Sequence, residues 1–482
     1  MQSTNIHSSQ AEQDAIDLKK LGYVQELLRD MGGFSSFAIS FSVISILTGA
    51  TQLYGYGLQH GGPMQMSVGW LVVAFFTMTV ALAMAELASA YPTAGALYHW
   101  SSFLGGRALG WFTACFNTIG QFAILAGIDF GLTQFLISFF HWPSTPLITN
   151  SLYAALLLSH AVLNHFGIRV VTRLNNFSAW YHIAVVVLLV GALAAKGFAQ
   201  PPSFLLTFSQ SDGYSPTYSL LIGILLAQWT LTGYDASAHV TEETVDPRRN
   251  APWGIFLAVV ISVVAGFIML AAVTLSIPDL SKAVAYGDSA FTEVISARLG
   301  PSLGGTIILL IAGAMWLCGL AALTSASRMV YAFSRDGGLP GHKLWAKVSP
   351  KHQTPSNAIW GLSALALVLA LSVQLFSTVV SIATIALYIS YGLPIAIRLY
   401  CRYCRNGKTG TRNVDKPGPW NLGRLSALNA FIAVGWIIFI MIDFVLPPNQ
   451  IAGIVISSFT VLLLVIWFAH TRHKFPGPKF HV

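Results

Sequence analysis

The sequence contains twelve apolar runs that are each long enough to cross a lipid bilayer as a helix. Such a helix needs about 20 largely apolar residues, whereas the strands of a membrane barrel would show about ten alternating residues each. We therefore predict an all-α membrane protein with twelve transmembrane helices. In chain order, spans 1 to 12 are predicted at residues 33–58, 66–91, 110–140, 150–167, 174–195, 218–242, 252–277, 303–333, 358–375, 378–399, 426–446 and 451–469.

The composition excludes an ordinary soluble domain. Of the 482 residues, 55% are hydrophobic and 9% are charged, whereas soluble domains carry about 25% charged residues. If the N-terminus is cytoplasmic, all but three of the 26 Lys and Arg residues face the cytoplasm, the exceptions being Lys196, Lys282 and Arg298. This positive-inside pattern predicts both termini in the cytoplasm. It also explains the net charge of +8 without a nucleic-acid partner, and we interpret the basic loops as topology signals beside membrane lipid rather than as a specific lipid site.

Spans 1 and 6 are each interrupted where a continuous membrane helix would be expected. Both contain the triplet Leu-Thr-Gly, at residues 47–49 and 231–233, and Asp235 follows the second triplet. Two glycine-interrupted spans in matching positions of two halves point to the binding site of a secondary transporter. Because each half would contain an odd number of spans, five, the halves would run in opposite directions as an inverted 5+5 repeat.

This arrangement divides the chain into two repeats and several flanking segments. Spans 11 and 12 lie outside the repeats, and the long external connections are predicted at 197–217 and 278–301. The predicted segments are a cytoplasmic N-terminal tail at 1–30, the first repeat at 31–199, the second repeat at 217–401, a basic cytoplasmic loop at 402–424, spans 11 and 12 within 425–470, and a cytoplasmic tail at 471–482.

Three stretches resemble the amino acid–polyamine–organocation (APC) superfamily, and within it the amino acid/choline transporter family that includes GABA permeases. They read AELASAYPTAGALYHW at 85–100, GYDASAHVTEET at 233–244 and SASRMVYAFSRDGGLP at 325–340. The resemblance extends over about residues 21–469. It implies the inverted-repeat fold first seen in the leucine transporter (LeuT type), with discontinuous helices 1 and 6.

A helix broken at the middle of a membrane exposes backbone groups that need partners. The N-terminus of a half-helix attracts a carboxylate, and unwound carbonyl groups attract an ammonium group. We predict that the substrate carboxylate lies over the amides of Thr48, Gly49 and Ala50. We predict that the substrate amino group meets the carbonyl groups of Thr230, Leu231 and Thr232.

The glycines and aromatic residues at the breaks have competing interpretations. Gly49 and Gly233 are predicted site residues, and close helix packing is the alternative for each. In related exchangers an aromatic residue four positions before the glycine closes over the substrate, so the resemblance implies that Trp229 is a lid; a core tryptophan is the alternative. Tyr234 is a weaker candidate for lining the site, and Gln121 of span 3 lies within reach on helical spacing.

Asp235 has two interpretations that the sequence leaves open. A carboxylate inside a membrane is a functional candidate by default, and a proton-sensing role has been proposed for an acidic residue at this position in the family. An aspartate that precedes a half-helix is equally well explained as its N-cap, which would need no role in transport. His239, one turn further along, is a candidate partner for either role.

A cytoplasmic gate is predicted where span 6 ends. Glu242 and Glu243 reach the interface there and are expected to meet Arg248 or Arg335; a solvated, uncoupled pair is the alternative. His182 in span 5 is interpreted as a hydrogen-bonded core residue.

A cation site is a further candidate at the break of span 1. Thr324 and Ser325 of span 8 could offer it hydroxyl groups, and ordinary helix packing is the alternative. Some bacterial relatives carry a lysine in the fifth span, and the absence of one here leaves the coupling ion open. Cys401 and Cys404 resemble half of a metal site, but the sequence offers no second pair nearby, so no metal is predicted.

These features predict a secondary transporter of amino acids or small amines such as GABA in the cytoplasmic membrane. Proton symport is the first expectation for its coupling, with sodium as the alternative ion. An exchanger of amino acids, choline or polyamines and a nutrient sensor that does not transport are the alternatives. No cofactor and no enzymatic activity are predicted, because no catalytic or nucleotide-binding pattern is present. The sequence does not indicate an oligomeric state.

Overall fold

The chain is described by a computed structural model over residues 2–372, 376–402 and 417–478. These residues are mainly helical, and two isolated bridges pair Met31 with Thr244 and His60 with Gln210. Ten segments of the described chain are long and apolar enough to cross a membrane, and they correspond to spans 1–5, 7, 8 and 10–12. They are Gly33–Gln59, Gln65–Ala90, Arg107–Phe139, Pro146–His165, Arg169–Ala195, Pro247–Leu275, Gly287–Arg335, Thr378–Tyr400, Gly423–Asp443 and Gln450–Lys474.

Several of these segments are not single regular helices. Span 1 consists of two half-helices, Gly33–Ile44 and Ile46–Gln59. Span 2 begins with a π-helical turn, Gln65–Gly69, before the α-helix Trp70–Ala90. Span 8 belongs to the helical stretch Ala290–Arg335, which is divided by Gly300 at φ 78°. Span 12 runs from Gln450–Ile466 into a second π-helical turn, Trp467–Thr471.

Spans 6 and 9 are the two predicted helices that fall outside this set of ten. Span 6 is divided into three short helices, Pro216–Gly223, Leu225–Thr230 and Ala236–His239. Span 9 is the 17-residue helix Ser356–Ser372, and the junction at 373–375 lies outside the described residues. The all-helical, multi-pass architecture is confirmed. The count of twelve spans and the 5+5 repeat stay predictions.

Some segments predicted as loops contain short helices. The predicted external connection at 278–301 holds the helix Leu280–Ala285 and a 3-10 turn, Gly287–Ser289. The predicted N-terminal tail contains the helix Gln2–Lys20. Residues 403–416 of the predicted basic loop, with Cys404, lie outside the described residues. The other short elements are Leu97–Gly105, Pro202–Leu206, Thr241–Glu243, His342–Trp345, Gly423–Leu425 and Arg472–Lys474.

Small residues let the spans approach one another closely. Span 7 packs along spans 1 and 2, and span 3 packs along span 10. A Cβ atom built at Gly266 of span 7 would lie 2.4 Å from Trp70 Cζ2 of span 2, and one at Gly120 of span 3 would lie 2.5 Å from Leu387 Cγ of span 10. Close packing at small residues is the usual way in which membrane helices associate. Spans 1, 2 and 7 therefore form one packed group, and spans 3 and 10 belong to another.

The two ends of the helix bundle differ in charge. The basic face carries residues 241–249 and 335–351 and is predicted to be cytoplasmic. The opposite face carries residues 60–64, 197–217 and 278–301 and is predicted to be external. Residues 23–31 cross the basic face, where Asp30 and Met31 N–H groups donate to the Glu243 carbonyl at 3.0 and 2.9 Å. The N-terminal segment is thus tied to the end of span 6.

Candidate functional site

A small cavity lies where the interruptions of spans 1 and 6 meet. Its volume is about 10 Å³, which is space for about one water molecule. Spans 1, 3, 6 and 8 line it through Val43, Ile44, Thr48, Gly49, Ile124, Ile128, Trp229, Thr232 and Cys318. A molecule with several heavy atoms fits here only after the surrounding helices move apart.

The interruption of span 1 lies at Ser45, and its predicted location within residues 47–49 is wrong. Ser45 has a left-handed backbone conformation with φ 33° and ψ 81°, which is uncommon for a residue other than glycine. Its hydroxyl group lies 2.6 Å from Thr48 Oγ1 and 2.7 Å from His182 Nε2. Hydrogen bonds to span 5 and to the next turn therefore hold the serine in this conformation, and His182 is hydrogen-bonded as predicted.

The outer half-helix of span 1 begins at Ile46, which shifts its positive end away from the predicted residues. The N–H groups of Thr48 and Gly49 donate to the Ser45 carbonyl at 2.8 and 3.1 Å. First-turn amides such as those of Ile46 and Leu47 have no acceptor within their own helix. Ile46 and Leu47 are accordingly better placed than Thr48, Gly49 and Ala50 to meet an anion. Thr48 and Gly49 line the cavity, whereas Ala50 is fully buried.

Gly49 is required by a close approach between spans 1 and 6. A Cβ atom at this position would lie 2.6 Å from Thr230 Oγ1 and 2.7 Å from Thr230 Cα. Since Cβ atoms do not come within 3.0 Å of another atom without movement and Cα belongs to the backbone, a rotamer change of Thr230 cannot make room. Gly49 therefore allows close helix packing, its alternative interpretation, and it does so at the wall of the cavity.

Span 6 is interrupted where predicted, between the helices that end at Thr230 and begin at Ala236. Gly233 has φ 99°, a conformation that glycine adopts at little cost, and a Cβ atom there would lie 2.4 Å from Val43 Cγ1. Within the described chain, no hydrogen bond ends on the three predicted carbonyl oxygens, those of Thr230, Leu231 and Thr232. Their dipoles are available to a cation.

The two aromatic candidates beside this break have different surroundings. Trp229 lines the cavity and reaches span 3, where a Cβ atom at Gly127 would lie 3.4 Å from Trp229 Cη2. Tyr234 is fully buried, and its ring centroid lies 5.3 Å from that of Tyr391 in span 10. Trp229 is thus placed at the cavity as the resemblance implied. Tyr234 packs against span 10, away from the residues that line the cavity.

Asp235 is fully buried, and its side chain makes hydrogen bonds to spans 3 and 10 and to the half-helix that follows it. Oδ1 accepts from Tyr391 Oη at 2.8 Å, Oδ2 accepts from Gln121 Nε2 at 2.8 Å, and His239 Nε2 lies 3.2 Å from Oδ2. The Asp235 side chain makes no hydrogen bond to the amides of Ala236–His239, so its interpretation as an N-cap is wrong.

The half-helix that follows Asp235 is capped from span 1. Ser40 Oγ accepts a hydrogen bond from the Ser237 N–H at 2.9 Å and donates one to the Tyr234 carbonyl at 2.7 Å. Ser237 Oγ in turn donates to the Ser36 carbonyl at 2.5 Å. A hydroxyl group is a good helix cap, and here one from the inner half of span 1 satisfies both sides of the break in span 6.

His239 connects Asp235 to the segment that follows span 2. His239 Nδ1 lies 3.2 Å from the carbonyl oxygen of Ala94, which can only accept, so Nδ1 carries a hydrogen atom. The contact between His239 Nε2 and Asp235 Oδ2 then requires a second hydrogen atom between the two. The Asp235 carboxylate is thus connected through His239 to the backbone at Ala94.

Two buried ion pairs seal the basic face. Arg335 donates to both carboxylate oxygens of Glu242 at 2.8 and 2.9 Å, and the Ala94 N–H donates to Glu242 Oε1 at 3.1 Å. Arg328 donates to Glu243 at 3.0 to 3.3 Å, and both residues are fully buried. The predicted pairing of Glu242 with Arg335 is confirmed as a contact.

Sequence reasoning missed Arg328 and assigned the wrong role to Arg248. Arg328 lies within the apolar run of span 8, where only its positive charge in a membrane segment was available as a signal. Arg248 Nε donates to the Ser89 carbonyl at 3.2 Å rather than to either glutamate. Tyr23, within the predicted cytoplasmic N-terminal tail, lies with its ring centroid 4.1 Å from Arg335 Cζ. The seal therefore includes residues before span 1.

The two residues predicted to form a cation site, Thr324 and Ser325, do not line the cavity at the break of span 1. Cys318, rather than Thr324 or Ser325, is the span 8 residue that lines the cavity, and its Sγ donates to the Val43 carbonyl at 3.3 Å. Thr324 Oγ1 lies 2.8 Å from Asn164 Oδ1 of span 4, and Ser325 Oγ is buried. Thr324 follows Cys318 by six residues, which is about 9 Å along a helix. The contacts of Thr324 match the packing alternative.

An open cavity of about 660 Å³ lies on the opposite face between spans 1, 3 and 8. This cavity, called the vestibule here, is lined by Thr51, Gln52, Gly131, Asp288 and Glu293 among others. Thr51 lies one helical turn beyond Thr48, which lines the small cavity. The site is thus approached from the opposite face and closed towards the basic face.

Asp212 joins the outer ends of the two broken spans. Its Oδ2 lies 2.6 Å from His60 Nδ1 and accepts from the Ser219 hydroxyl, and its Oδ1 accepts from the Tyr214 N–H at 3.0 Å. Burial alone would raise the pKa of Asp212, but these hydrogen bonds hold it below the usual 3.8. Since His60 ends span 1 and Ser219 lies at the start of span 6, the two outer half-helices are linked.

Known proteins with similar sequences are permeases. Residues 31–469 match the family model described as amino acid permease. An amino-acid permease BAT1 homolog of Oryza sativa is 38% identical over 96% of this chain and 94% of its own length, and amino-acid permease BAT1 of Arabidopsis thaliana is 37% identical over 96% of both. The GABA-specific permease of Saccharomyces cerevisiae is 27% identical over 96% of this chain and 84% of its own length. This multi-pass membrane protein belongs to the amino acid permease family of the APC superfamily.

Proposed function

We propose that this protein is a secondary transporter that moves an amino acid or a small amine such as GABA by alternating access, driven by protons. It would lie in the plasma or inner membrane with both termini in the cytoplasm and carry twelve helices, ten of them as a LeuT-type inverted repeat. The observation that carries the proposal is the meeting of two helix interruptions around a closed cavity. The names of the relatives, which include amino-acid permeases and a GABA-specific permease, agree with this class of substrate.

Backbone groups would hold the two ends of the substrate. The unoccupied carbonyls of residues 230–232 suit an ammonium group, and the first-turn amides of Ile46 and Leu47 suit a carboxylate. Trp229 would close over the substrate, because it lines the cavity between span 6 and span 3. Recognition by backbone groups favours small substrates that carry both an ammonium group and a carboxylate. It also explains why few ionised side chains line the cavity.

Alternating access would exchange the open vestibule for an open basic face. In the conformation described, the vestibule has about 660 Å³ while Glu242–Arg335 and Glu243–Arg328 close the other side. The packing of span 7 along spans 1 and 2 supports rocking of spans 1, 2, 6 and 7 as one body. The gate residues Glu242, Glu243 and Arg335 would separate during this movement.

Proton coupling is assigned to the pair Asp235–His239. A proton shared between His239 Nε2 and Asp235 Oδ2, which lie 3.2 Å apart, would stabilise the conformation described, and its release would push the two side chains apart. Because His239 ends the half-helix that leads to Glu242, this separation would act directly on the gate. The alternative coupling ion is sodium.

Uptake into proteoliposomes tests the proposal. The purified chain would be reconstituted, and labelled alanine, GABA, choline and putrescine would be offered under a pH gradient, a sodium gradient or neither. We expect an amino acid or GABA to accumulate under the pH gradient. Accumulation driven only by sodium would overturn the assigned coupling. Binding without transport would overturn the transporter in favour of a sensor, and uptake only into vesicles preloaded with substrate would indicate an exchanger.

A further inference from the structure

The vestibule lies one helical turn beyond the small cavity on two different spans. Thr51 follows Thr48 by three residues in span 1, and Gly131 follows Ile128 by three residues in span 3. Three residues of helix span about 4.5 Å, so a molecule in the vestibule is about one turn away from the breaks. With about 660 Å³, the vestibule falls in the size range of small-molecule sites.

Two carboxylates line the vestibule, and the fold fixes the position of one of them. Asp288 lies on the 3-10 turn Gly287–Ser289. A Cβ atom at Gly55 of span 1 would lie 1.9 Å from the Gly287 carbonyl oxygen, so this turn is pressed directly onto the outer half-helix. Glu293 lies in the first turn of the helix that follows. Asp288 is therefore held beside span 1 by backbone packing.

Polar atoms without partners lie at the inner end of the vestibule. Thr51 is 3% exposed, and its Oγ1 is buried with no hydrogen-bond partner in the described chain. The same holds for Gln52 Oε1, whose neighbouring Nε2 points to the Ile128 carbonyl at 3.5 Å. Buried polar atoms are normally paired. A hydroxyl oxygen and an amide oxygen thus present unused acceptor positions to the same cavity that carries the carboxylates.

The lining therefore selects a hydrogen-bond donor with a positive charge. Asp288 and Glu293 are its acidic side chains, and His141 is its titratable base; in the described chain neither Lys nor Arg lines it. We propose that the vestibule is a second ligand site, which binds the ammonium group of an amine or amino acid before the ligand moves to the helix breaks. The order of these two steps rests on the proposed transport function, whereas ammonium binding does not.

Removal of both carboxylates tests this site in the full-length protein. Binding of labelled putrescine, which has two ammonium groups and no carboxylate, would be measured on the purified wild-type chain and on the double variant Asp288→Asn/Glu293→Gln. Exposed charges at contact distance act weakly and are screened by salt, so we expect about a tenfold loss of affinity at low salt and a smaller difference at about 0.3 M. Unchanged putrescine affinity in the double variant would overturn the proposal.

Asp279→Asn is the matched control. It removes a carboxylate from the same connection, but Asp279 caps Leu280–Ala285 through the N–H groups of Ser281 and Lys282, a role that asparagine also performs. This control should bind putrescine as the wild type does. In GABA uptake the double variant should raise KM and leave the maximal rate unchanged. Failure of all uptake with retained, carboxylate-dependent putrescine binding would reject the transport function and leave the vestibule site standing.

Discussion

The two helix breaks have different side-chain chemistry. Ser45, at the break of span 1, contacts a hydroxyl group and the imidazole of His182. Asp235, at the break of span 6, is a fully buried carboxylate with three side-chain partners, one of which is the imidazole of His239. The first break leads towards the open vestibule, and the second leads to the sealed ion pairs. The difference indicates a division of labour: span 1 supplies shape and backbone dipoles, and span 6 supplies the ionisable group.

Gly49→Ala is expected to have the largest effect, because it separates the two breaks. The added methyl group would lie 2.7 Å from the backbone atom Thr230 Cα, so span 1 or span 6 must shift as a whole. We expect loss of uptake to background in proteoliposomes, with the protein still inserted and monodisperse. Adding Thr230→Ala to the Gly49→Ala variant should not restore uptake. The second substitution removes only side-chain atoms, and the clash with the backbone of span 6 remains.

Gly191→Ala provides the control for this substitution. Gly191 also lies within a membrane helix, but nothing lies within 4 Å of a Cβ atom at its position. Its uptake should equal that of the wild type. If Gly49→Ala transported as well as Gly191→Ala, the close approach of spans 1 and 6 would not be part of the working site.

Asp235→Asn should abolish the coupling of uptake to the pH gradient while the substrate site at the helix breaks stays intact. Asparagine can still bond to Gln121 and Tyr391, but it cannot share an ionisable proton with His239. We expect accumulation under a pH gradient to fall more than tenfold, while exchange of labelled for unlabelled substrate continues at a similar rate. The measurement is uptake with and without the gradient, compared with counterflow in the same vesicles.

A second buried pair serves as the control for Asp235. Asp129 of span 3 lies 3.1 Å from His160 of span 4, and both are fully buried. Because neither lines the cavity at the breaks, Asp129→Asn should keep gradient-driven accumulation. Intact accumulation in Asp235→Asn, or equal losses in both variants, would show that coupling does not depend specifically on the break of span 6.

The break of span 6 was predictable and that of span 1 was not, for a physical reason. In span 6 a glycine itself adopts the left-handed conformation, so the sequence marks the position. In span 1 the left-handed residue is Ser45, which is held there by His182, 137 residues away. A long-range interaction of this kind leaves no local signal, and the visible Gly49 marks close packing instead. The same reasoning explains why Ser40, rather than Asp235, caps the inner half-helix.

The helical architecture and one ion pair of the predicted gate could also be predicted from the sequence. Apolar runs of bilayer length predicted ten of the helices, and acidic and basic residues at the ends of spans 6 and 8 predicted Glu242–Arg335. Arg328 was missed because its acidic partner lies 85 residues away in the sequence. Its partner Glu243 is a neighbour only in the folded chain.

Gly233→Ala should have an intermediate and partly reversible effect. Alanine at φ 99° costs about 1–2 kcal/mol, and its methyl group would lie 2.4 Å from Val43 Cγ1. Unlike the clash at Gly49, this one involves the end of a side chain. We expect about a tenfold loss of the maximal uptake rate, and recovery of part of it in Gly233→Ala/Val43→Ala. A double variant no better than the single one would mean that the backbone conformation alone limits transport.

Asp212→Asn should have the smallest effect, because it weakens only the link between the outer half-helices. The pKa of Asp212 is lowered below 3.8 in the folded protein, so its stabilising contribution is present above that value and is lost as the pH falls through the lowered pKa. Hydrogen bonds to a charged group are worth about 1.5–3 kcal/mol, so the variant should unfold a few degrees earlier at pH 7 and by the same margin at pH 5. Its uptake should keep the pH dependence of the wild type over this range. A flattened profile would assign proton sensing to the outer ends of the broken spans and remove it from Asp235.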